Sequence, residues 1–423
     1  MWKTMSIPWC KEERKFLIPE DSLIWVATPR HVDGVEDETA EIINAIRNPI
    51  ASKTLPEILG PPKGKKIAIV VDDNTRVTPV EKVLPLLIDE LNLAGVEDNQ
   101  ITVIIALGTH HFMSEEQIEK RVGKCYGRVK VINHDCDAAE ELVNLGVTEL
   151  GTPVIINKTF YESDVGICIG NIIPHFIAGW SGGAKIIQPG ISGSQTTAQV
   201  HLNGSLDWPE RIGNAETNIR CEMEAIARKA GLDFIINTVL NLDNEIVKVV
   251  AGDLVKAHRT GVRYARDIYQ MRIPERADIV VAGTYPANKD LWQADKGLAS
   301  AVMMVKPGGT VVWAAPCLEG VSPEHPILVE LADTPPKKVY DMAVKGEIDD
   351  LVGSTGHIMI GVMREMAHII LVSDGVSKEE AERMGFEYAP DIDSGMHMAL
   401  KREGNNAKIG ILTHGADMAP VVC

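Results

Sequence analysis

The segment DDNTRVTP (72–79) combines a residue that can bind an anion with residues that shape a turn. An arginine guanidinium can form two parallel hydrogen bonds with a carboxylate or phosphate, so Arg76 is a candidate anion-binding residue. An arginine in such a loop can equally form a structural ion pair. Asp73 and Thr75 suit the N-cap of a following helix, which would explain their presence without any chemistry.

Two adjacent histidines stand in the segment LGTHHFMSEEQ (107–117). Histidine exchanges protons near neutral pH and is therefore a frequent general acid or base in enzymes. Adjacent side chains in an irregular loop point in different directions, so we expect at most one of His110 and His111 to face a shared cleft. The alternative is a pair of loop histidines with no chemical role.

The richest segment is NIIPHFIAGWSGGAKIIQPGISGSQTTAQVH (171–201), which contains His175, Lys185 and His201. Its glycines permit backbone conformations that let a ligand approach closely. Lys185 follows the pair Gly182–Gly183 as the lysine of a phosphate loop would. The Walker A spacing G-x-x-x-x-G-K-[ST] is nevertheless absent, because neither Ser nor Thr follows the lysine. The sequence therefore disfavours an ordinary nucleotide kinase.

Three of these histidines could share one metal ion. His110, His175 and His201 would supply three imidazoles, as in some zinc enzymes, although no H-x-x-x-H or H-E-x-x-H spacing places two of them on one helical turn. We expect most of the remaining histidines, His325 among them, to be surface or packing residues.

A further polar group occurs much later in the chain, in DLWQADKG (290–297). On a helix Gln293 and Lys296 are three residues apart and share one face, so both could reach into a cleft together. Trp292 stands beside them and could shape a pocket. The alternative is a solvated helix with a buried tryptophan.

Short apolar runs rich in Val and Ile separate these segments. Continuous rather than alternating apolar runs are typical of parallel strands that helices cover on both faces. Strands are predicted at 65–73, 100–107, 129–135, 163–171, 277–284, 308–316, 368–374 and 407–415. Helices are predicted at 78–95, 114–123, 218–231 and 377–385. This alternation predicts a doubly wound α/β fold, in which functional residues gather beyond the carboxyl ends of the strands.

The strand series divides near 265–276, where a long predicted helix ends in a proline-containing turn. We therefore expect an N-terminal α/β lobe over 1–270 and a smaller C-terminal α/β lobe over 271–399. The last predicted strand could pair with either lobe, and we expect 400–423 to return to the first. The active site would then lie in a cleft between two Rossmann-like lobes with mostly parallel sheets, joined by a hinge.

The composition is that of a folded globular protein, since 45% of the 423 residues are hydrophobic and 24% are charged. The net charge of −17 and the lack of basic runs disfavour nucleic acids and anionic membranes as partners. Seven cysteines without a C-x-x-C pair indicate reduced thiols. No apolar stretch has the length of a signal peptide or a membrane span, so we expect a cytoplasmic protein.

In this order, DDNTRVTP, GTHHFM, PHFIAGWSGGAKIIQPG with the downstream His201, and WQADKG resemble the motifs of the nickel-dependent lactate racemase family. The resemblance covers essentially the whole chain, and the GWSGGAK block is its most specific part. It implies two α/β lobes around a hinge. It also implies a nickel-pincer nucleotide, pyridinium-3,5-bisthiocarboxylic acid mononucleotide nickel. In this cofactor a ring carbon, two sulfurs and one histidine hold the nickel, and one sulfur-containing arm is joined to a lysine.

By position, the resemblance assigns Lys185 to covalent attachment of the cofactor and His201 to the nickel. His110 and His175 resemble the acid–base pair of the family, and Arg76 resembles its anchor for the substrate carboxylate. The second-lobe residues that would contact the substrate are Trp292, Gln293 and Lys296. The residues further implied to hold the cofactor are Asp73, Ser181, Gly182 and Gly183.

The activity that the resemblance implies is that of a racemase or epimerase. It would invert carbon 2 of lactate, or of a longer or more polar 2-hydroxy acid, by reversible hydride transfer to the cofactor. Separate enzymes that build the cofactor are implied as partners. Two alternatives remain open: a zinc hydrolase built on the three histidines, and a non-catalytic two-lobed protein that closes on a small anion.

Overall fold

The computed structural model describes residues 1–206 and 211–423, which form an α/β fold built on two six-stranded sheets. Four two-stranded sheets of the described residues lie outside the two large sheets, and one of them is at the N-terminal end. The strands are β1 (Trp2–Trp9), β2 (Glu12–Pro19), β3 (Leu23–Ala27), β4 (Ile67–Asp72), β5 (Ile101–Ala106), β6 (Lys130–Asn133), β7 (Leu142–Val147), β8 (Pro153–Asn157), β9 (Val165–Asn171), β10 (Pro174–His175), β11 (Gly179–Trp180), β12 (Leu232–Leu240), β13 (Ile246–Gly252), β14 (Gln270–Ile273), β15 (Ala277–Gly283), β16 (Val305–Ala314), β17 (His368–Val372), β18 (Glu387–Tyr388), β19 (Ile409–Leu412) and β20 (Ala419–Val422).

Helices pack against both sheets. They are α1 (Glu38–Arg47), α2 (Leu55–Leu59), α3 (Val80–Leu93), α4 (Glu115–Val122), α5 (Lys158–Tyr161), α6 (Ser194–Ser205), α7 (Asn218–Ala230), α8 (Lys256–Tyr269), α9 (Leu291–Met304), α10 (Ile327–Glu330), α11 (Pro336–Val344), α12 (Leu351–Met366), α13 (Lys378–Arg383) and α14 (Ile392–Glu403). Ser114 and Ser377 begin α4 and α13 through capping boxes, in which the side chain three residues on bonds back to the cap. The four predicted helices are confirmed.

The first sheet has the strand order β13-β12-β9-β4-β5-β6 and is parallel apart from β13, which runs antiparallel to β12. Every residue of β4 and β9 is buried. Runs of Val and Ile form these strands because their branched side chains pack well on a sheet that is covered on both faces. The strands predicted at 65–73, 100–107, 129–135 and 163–171 are confirmed.

The second sheet has the order β18-β17-β16-β15-β19-β3, and its pairings are parallel. The expectation that 400–423 returns to the first lobe is wrong, because β19 lies between β15 and β3 in this second sheet. All residues of β19 are buried, and the inner position gives this apolar strand two neighbours. Since β3 also belongs here, the range 1–270 does not correspond to one lobe.

Trp25 and Gly410 show how β3 and β19 fit together. The two residues are register partners, and a Cβ atom on Gly410 would lie 2.1 Å from the Trp25 indole. Glycine inside a strand often marks the close approach of another group, and here that group is the indole. Trp25 Nε1 also donates to the backbone oxygen of Glu275 at 2.9 Å, just before β15. The indole therefore fastens the N-terminal strand to the second sheet.

The chain crosses from the first sheet to the second through α8 and β14. The predicted long helix is confirmed as α8, and β14 follows it and pairs in parallel with β20. The crossover is thus hydrogen-bonded to the C-terminal segment. The lobes also meet where α6 packs on α12, and Leu202 of α6 shares an apolar cluster with Val339 and Ile358 of the second lobe.

Replacing Gly410 with alanine should destabilise the second sheet, because the added methyl group must displace the Trp25 indole. Overpacking of this kind typically lowers the free energy of unfolding by about 1–3 kcal/mol. Urea denaturation followed by tryptophan fluorescence measures the change. Asn405→Ala, in the exposed turn before β19, is the control and should change that free energy by less than about 0.5 kcal/mol. Equal stability of the two variants would contradict the packing.

Candidate active site

The carboxyl ends of three neighbouring strands meet at one cleft between the lobes. In the first sheet β4 lies between β9 and β5, and the loops beyond these three strands carry Arg76, His175 and His110 in turn. From the second lobe, α9 and the first turns of α12 face the same cleft. The sequence-predicted residues that line it are Asp73, Arg76, His110, His175, Lys185, His201, Trp292, Gln293 and Lys296.

The remaining predicted residues lie beside this cleft. Ser181 and Gly182 line an adjoining cavity of about 410 Å³, which shares Lys185 with the cleft. Gly183 is buried behind both spaces, and its N–H donates to Asn237 Oδ1 at 2.8 Å. Gly183 therefore shapes the turn that presents Lys185 and does not form a wall of the cleft.

His110 is the member of the histidine pair that faces the cleft, whereas the side chain of His111 is 87% exposed. Asp73 Oδ2 lies 2.7 Å from His110 Nδ1, and Thr75 Oγ1 donates to the other carboxylate oxygen at 2.6 Å. Burial raises the pKa of Asp73, but the hydrogen bond and charge of His110 and the charge of Arg76 outweigh it and lower the pKa to about 2. The carboxylate therefore accepts the Nδ1 proton, and the neutral form of this ring has its lone pair on Nε2.

His175 is held in the opposite tautomer. Its Nδ1 accepts hydrogen bonds from the backbone N–H groups of Ile177 at 3.1 Å and Ala178 at 3.3 Å. A backbone N–H can only donate, so the proton of the neutral ring is on Nε2. Burial lowers the pKa of His175 well below its usual value, and the charge of Lys185 lowers it further. The cleft thus contains one imidazole that offers a lone pair and one that offers an N–H.

Lys185 is presented by a tight turn. Gly182 and Gly183 adopt φ values of +72° and +55°, which favour glycine, and a short 3-10 helix follows with Lys185 in it. Burial lowers the pKa of Lys185 to about 7, and the charges of Arg76 and Lys296 act in the same direction. Near pH 7 about half of this side chain is a neutral amine, whereas an ordinary lysine is almost fully charged. The neutral amine is the nucleophilic form.

His201 lies on α6 with its Nδ1 2.7 Å from the backbone oxygen of Thr197. Nδ1 donates in this contact, so the neutral ring has its lone pair on Nε2. Burial lowers the pKa of His201 to about 4, which keeps the ring neutral at physiological pH. A neutral imidazole anchored through its other nitrogen is the usual form of a metal-ligating histidine.

A metal ion at His201 would need donors from a bound group. Within residues 1–206 and 211–423, no group of three His, Cys, Asp or Glu side chains is placed to hold a metal ion. The three-histidine set considered from the sequence does not form such a group.

The second lobe contributes the first turn of α9. Asp290 caps this helix by accepting from the backbone N–H of Gln293 at 2.7 Å, and Lys296 Nζ donates to the side-chain oxygen of Gln293. Burial lowers the pKa of Lys296, and the charge of Arg76 from the first lobe lowers it further. The side chains of Gln293 and Lys296 therefore lie on one face of α9, as their spacing predicts.

Arg121, which no sequence motif marks, holds the loop beyond β4. Its guanidinium donates to the backbone oxygens of Asp72 at 2.8 Å, Arg76 at 3.1 Å and Thr78 at 2.8 Å. These bonds fix the backbone from which Asp73 and Arg76 project. Nothing in the local sequence distinguishes Arg121 from the other charged residues of α4, and the fold alone brings it to this loop.

His325, which the sequence groups with the surface or packing histidines, does pack against a neighbouring ring, and it also lines the cleft. His325 Nδ1 lies 2.9 Å from Asp350 Oδ2, and its ring centroid lies 4.7 Å from that of Trp292. The indole of Trp292 rests on α12 at Gly356, where a Cβ atom would lie 1.9 Å from the ring. The packed imidazole and indole form the second-lobe wall of the cleft.

The fold and the site fit an isomerase of the racemase class: two α/β lobes enclose a pair of imidazoles in opposite tautomers beside a lysine that is about half neutral near pH 7. Family models agree with this assignment. The model described as the lactate racemase N-terminal domain matches residues 9–213, and the model of the lactate racemase C-terminal domain matches 273–419. The chain belongs to the lactate racemase family.

Individual relatives match nearly the whole chain. A lactate racemase of Lactiplantibacillus plantarum is 31% identical over 402 residues, which cover 93% of both chains. A lactate racemase of Thermoanaerobacterium thermosaccharolyticum is 28% identical over 425 residues, which cover 98% of both. The solved structure of the lactate racemase apoprotein from the latter organism superimposes with a TM-score of 0.89 over 100% of both chains. In the part of the chain that the structure describes, every helix is too short or too polar to cross a membrane.

The lowered pKa of Lys185 predicts that it reacts with amine reagents at lower pH than surface lysines do. On the chain without any bound group, its rate of acetylation by acetic anhydride should be half-maximal near pH 7 and then level off, because only the neutral amine reacts. Peptide mass spectrometry after short pulses measures this rate at each pH. Exposed Lys401, acetylated in the same pulses, is the internal control. Parallel pH profiles for the two lysines would contradict the effect of burial.

Proposed function

We propose that this chain racemises lactate or a related 2-hydroxy acid, with His110 and His175 on either side of the reacting carbon. The relatives that match it along nearly their whole length are lactate racemases. One observation carries the proposal: two imidazoles with opposite proton arrangements line the same cleft as Lys185 and His201. Inversion at carbon 2 of a hydroxy acid requires proton transfer at the hydroxyl oxygen, which such imidazoles perform.

The charges of the cleft account for binding of the substrate carboxylate. Arg76 and Lys296 approach the cleft from opposite lobes in a protein whose net charge is −17. The planar guanidinium of Arg76 suits a carboxylate with two parallel hydrogen bonds, and Lys296 is held towards the cleft by Gln293. A carboxylate fixed in this way lets the rest of the substrate turn, so that either face of carbon 2 can meet a histidine.

The resting tautomers assign different tasks to the two histidines. His110 Nε2 takes the hydroxyl proton of one enantiomer, and Asp73 stabilises the imidazolium that forms. After inversion the product oxygen lies against His175, whose Nε2–H gives it a proton, and His175 Nδ1 must carry a proton for this step, so Ile177 and Ala178 must release it. For the other enantiomer the tasks exchange: His175 Nε2 takes the hydroxyl proton and the His110 imidazolium returns one, so that no net proton is gained or lost. The two directions therefore start from unequal proton arrangements.

The side chains of the cleft fit the nickel-pincer nucleotide of the family, with Lys185 as its attachment site and His201 as its nickel ligand. Lys185 supplies a neutral amine, and His201 Nε2 supplies a lone pair. Thr197 Oγ1 is buried in the same cleft without a hydrogen-bond partner among the described residues, as expected where a bound group completes a site. When bound, the nucleotide supplies a reversible acceptor for the hydrogen on carbon 2 of the substrate.

The nucleotide part would occupy the cavity of about 410 Å³ beside Lys185, a size usual for small-molecule sites. Ser181 and Gly182 line this cavity, in agreement with a role in holding the cofactor. Asp73 instead contacts His110, so we assign it to positioning that base. Enzymes that build the cofactor are the partners that this proposal requires.

A zinc hydrolase built on His110, His175 and His201 is disfavoured. A zinc ligand needs a lone pair directed at the metal, and the cleft-facing nitrogen of His175 carries a proton. The described residues also lack any group of three side chains placed to hold a metal.

His110→Asn should lower kcat/KM for lactate racemisation by about 10²-fold or more, which is the usual contribution of a general base. The enzyme is co-produced with the cofactor-building enzymes, and chiral chromatography follows the reaction from each enantiomer. His111→Asn is the matched control, because it makes the same change at the adjacent, exposed histidine, and it should leave kcat/KM unchanged. Equal losses in both variants would refute the role of His110. Lactate binding without racemisation by the unaltered enzyme would support the anion-binding alternative.

Lys185→Ala should abolish covalent attachment of the cofactor. The intact mass of the co-produced protein should show a nucleotide-sized increment in the original chain and none in the variant. His201→Ala should keep the mass increment and lose nickel, measured by elemental analysis, because the tether and the metal ligand are different residues. An increment that persists in Lys185→Ala would refute the tether, and full nickel content in His201→Ala would refute the ligand.

A further inference from the structure

The second-lobe wall of the cleft contains an oriented imidazole that the proposed mechanism does not use. Asp350 Oδ2 lies 2.9 Å from His325 Nδ1, and Asp350 also accepts from the backbone N–H of Gly353 at 2.8 Å as the N-cap of α12. The fixed carboxylate takes the Nδ1 proton, so neutral His325 carries a lone pair on Nε2. Among the described residues, no group hydrogen-bonds to that Nε2.

The His325 ring is held in this orientation from several sides. Its backbone N–H donates to Ser322 Oγ at 3.1 Å, and its ring packs on Trp292, which itself rests on Gly356 of α12. The side chain is 14% exposed and lines the cleft. An imidazole anchored through one nitrogen, with the other facing a ligand cavity, is typical of a histidine that contacts a ligand.

Two neighbours of His325 in the cleft are also hydrogen-bond acceptors. Glu324 lines the cleft with its carboxylate, and its Oε1 lies 3.4 Å from Lys289 Nζ. Thr355 Oγ1 donates its own proton to the backbone oxygen of Val352 at 2.7 Å, so it can only accept from a ligand. The wall therefore offers lone pairs to whatever lies against it.

The cleft contains both cationic groups and acceptors. Arg76 of the first lobe and Lys296 of the second suit the substrate carboxylate, while the wall at His325, Glu324 and Thr355 offers acceptors. The methyl group of lactate would leave these acceptors unpaired, and a second carboxylate would be repelled by Glu324. A hydroxyl group satisfies the wall, because it can donate a hydrogen bond to an acceptor and carries no charge.

We propose that His325 is a specificity-determining residue that accepts a hydrogen bond from a hydroxyl group beyond carbon 2. The preferred substrates are then 2-hydroxy acids whose chain carries a further hydroxyl group. This inference rests on the proposed function for the placing of the carboxylate.

The test compares glycerate, which carries one hydroxyl group more than lactate, with lactate itself. Dissociation constants and kcat/KM are measured for both acids with the cofactor-loaded enzyme and with His325→Phe. The unaltered enzyme should prefer glycerate, and the ratio of glycerate to lactate kcat/KM should fall about tenfold or more in the variant, because a site built to bind a hydroxyl discriminates strongly. A purely structural role would lower both values alike. An unchanged ratio, or no preference for glycerate in the unaltered enzyme, would overturn the inference.

Two further variants make the result specific. Asp350→Asn keeps a good N-cap for α12 but weakens the hold on His325 Nδ1, so the ratio should shift in the same direction. His111→Phe removes an exposed imidazole 3.9 Å from Glu324 and should leave the ratio unchanged. A glycerate preference in binding that depends on His325, without racemisation, supports this inference and refutes the proposed function. Lactate racemisation without a preference for glycerate supports the proposed function and refutes this inference.

Discussion

The site depends on burial of the basic nitrogens of Lys185 and His201 away from water, which lowers their pKa values. At neutral pH burial leaves about half of the Lys185 amine and nearly all of the His201 ring without the extra proton, although both side chains are ordinary in type. Hydrogen bonds then decide which nitrogen of each ring carries its proton, as Asp73 does for His110 and two backbone N–H groups do for His175. The cleft thereby contains a partly neutral amine at Lys185 and a neutral imidazole at His201, which are the forms that the proposed function requires.

Such a site requires loops that do not move, and two arginines hold them. Arg121 binds three backbone oxygens of the loop beyond β4. Arg220 is fully buried and donates to the backbone oxygens of Trp180 at 3.1 Å and Gly182 at 3.0 Å, while Glu224 balances its charge. Because a guanidinium can bind several carbonyls at fixed angles, each arginine fixes the backbone of the loop that it contacts.

The sequence predicts the strands well, because an apolar run buried on both faces has few alternatives to a parallel sheet. The sequence does not predict which sheet β19 joins, because the apolar run of this strand suits either sheet. Its neighbour β3 is recognisable only from the folded structure, in which the Trp25 indole packs on Gly410.

Motifs at the ends of the predicted strands also predict most of the residues that line the cleft. Arg121 and the His325–Asp350 pair escape prediction because their partners are 49 and 25 residues away along the chain. The tautomers of His110 and His175 also depend on hydrogen bonds that only the folded structure shows.

Ala27 and Thr413 are 386 residues apart in sequence, yet the Thr413 N–H donates to the Ala27 oxygen at 3.0 Å where β3 meets β19. On the ribosome, β3 emerges before every strand of the first sheet and β19 emerges after all of them. The strands of the first sheet lie between them in sequence, so that lobe can assemble on the nascent chain while the second sheet still lacks an inner strand. Translation therefore sets the order in which the halves of the cleft are finished, and the lysine-bearing half comes first.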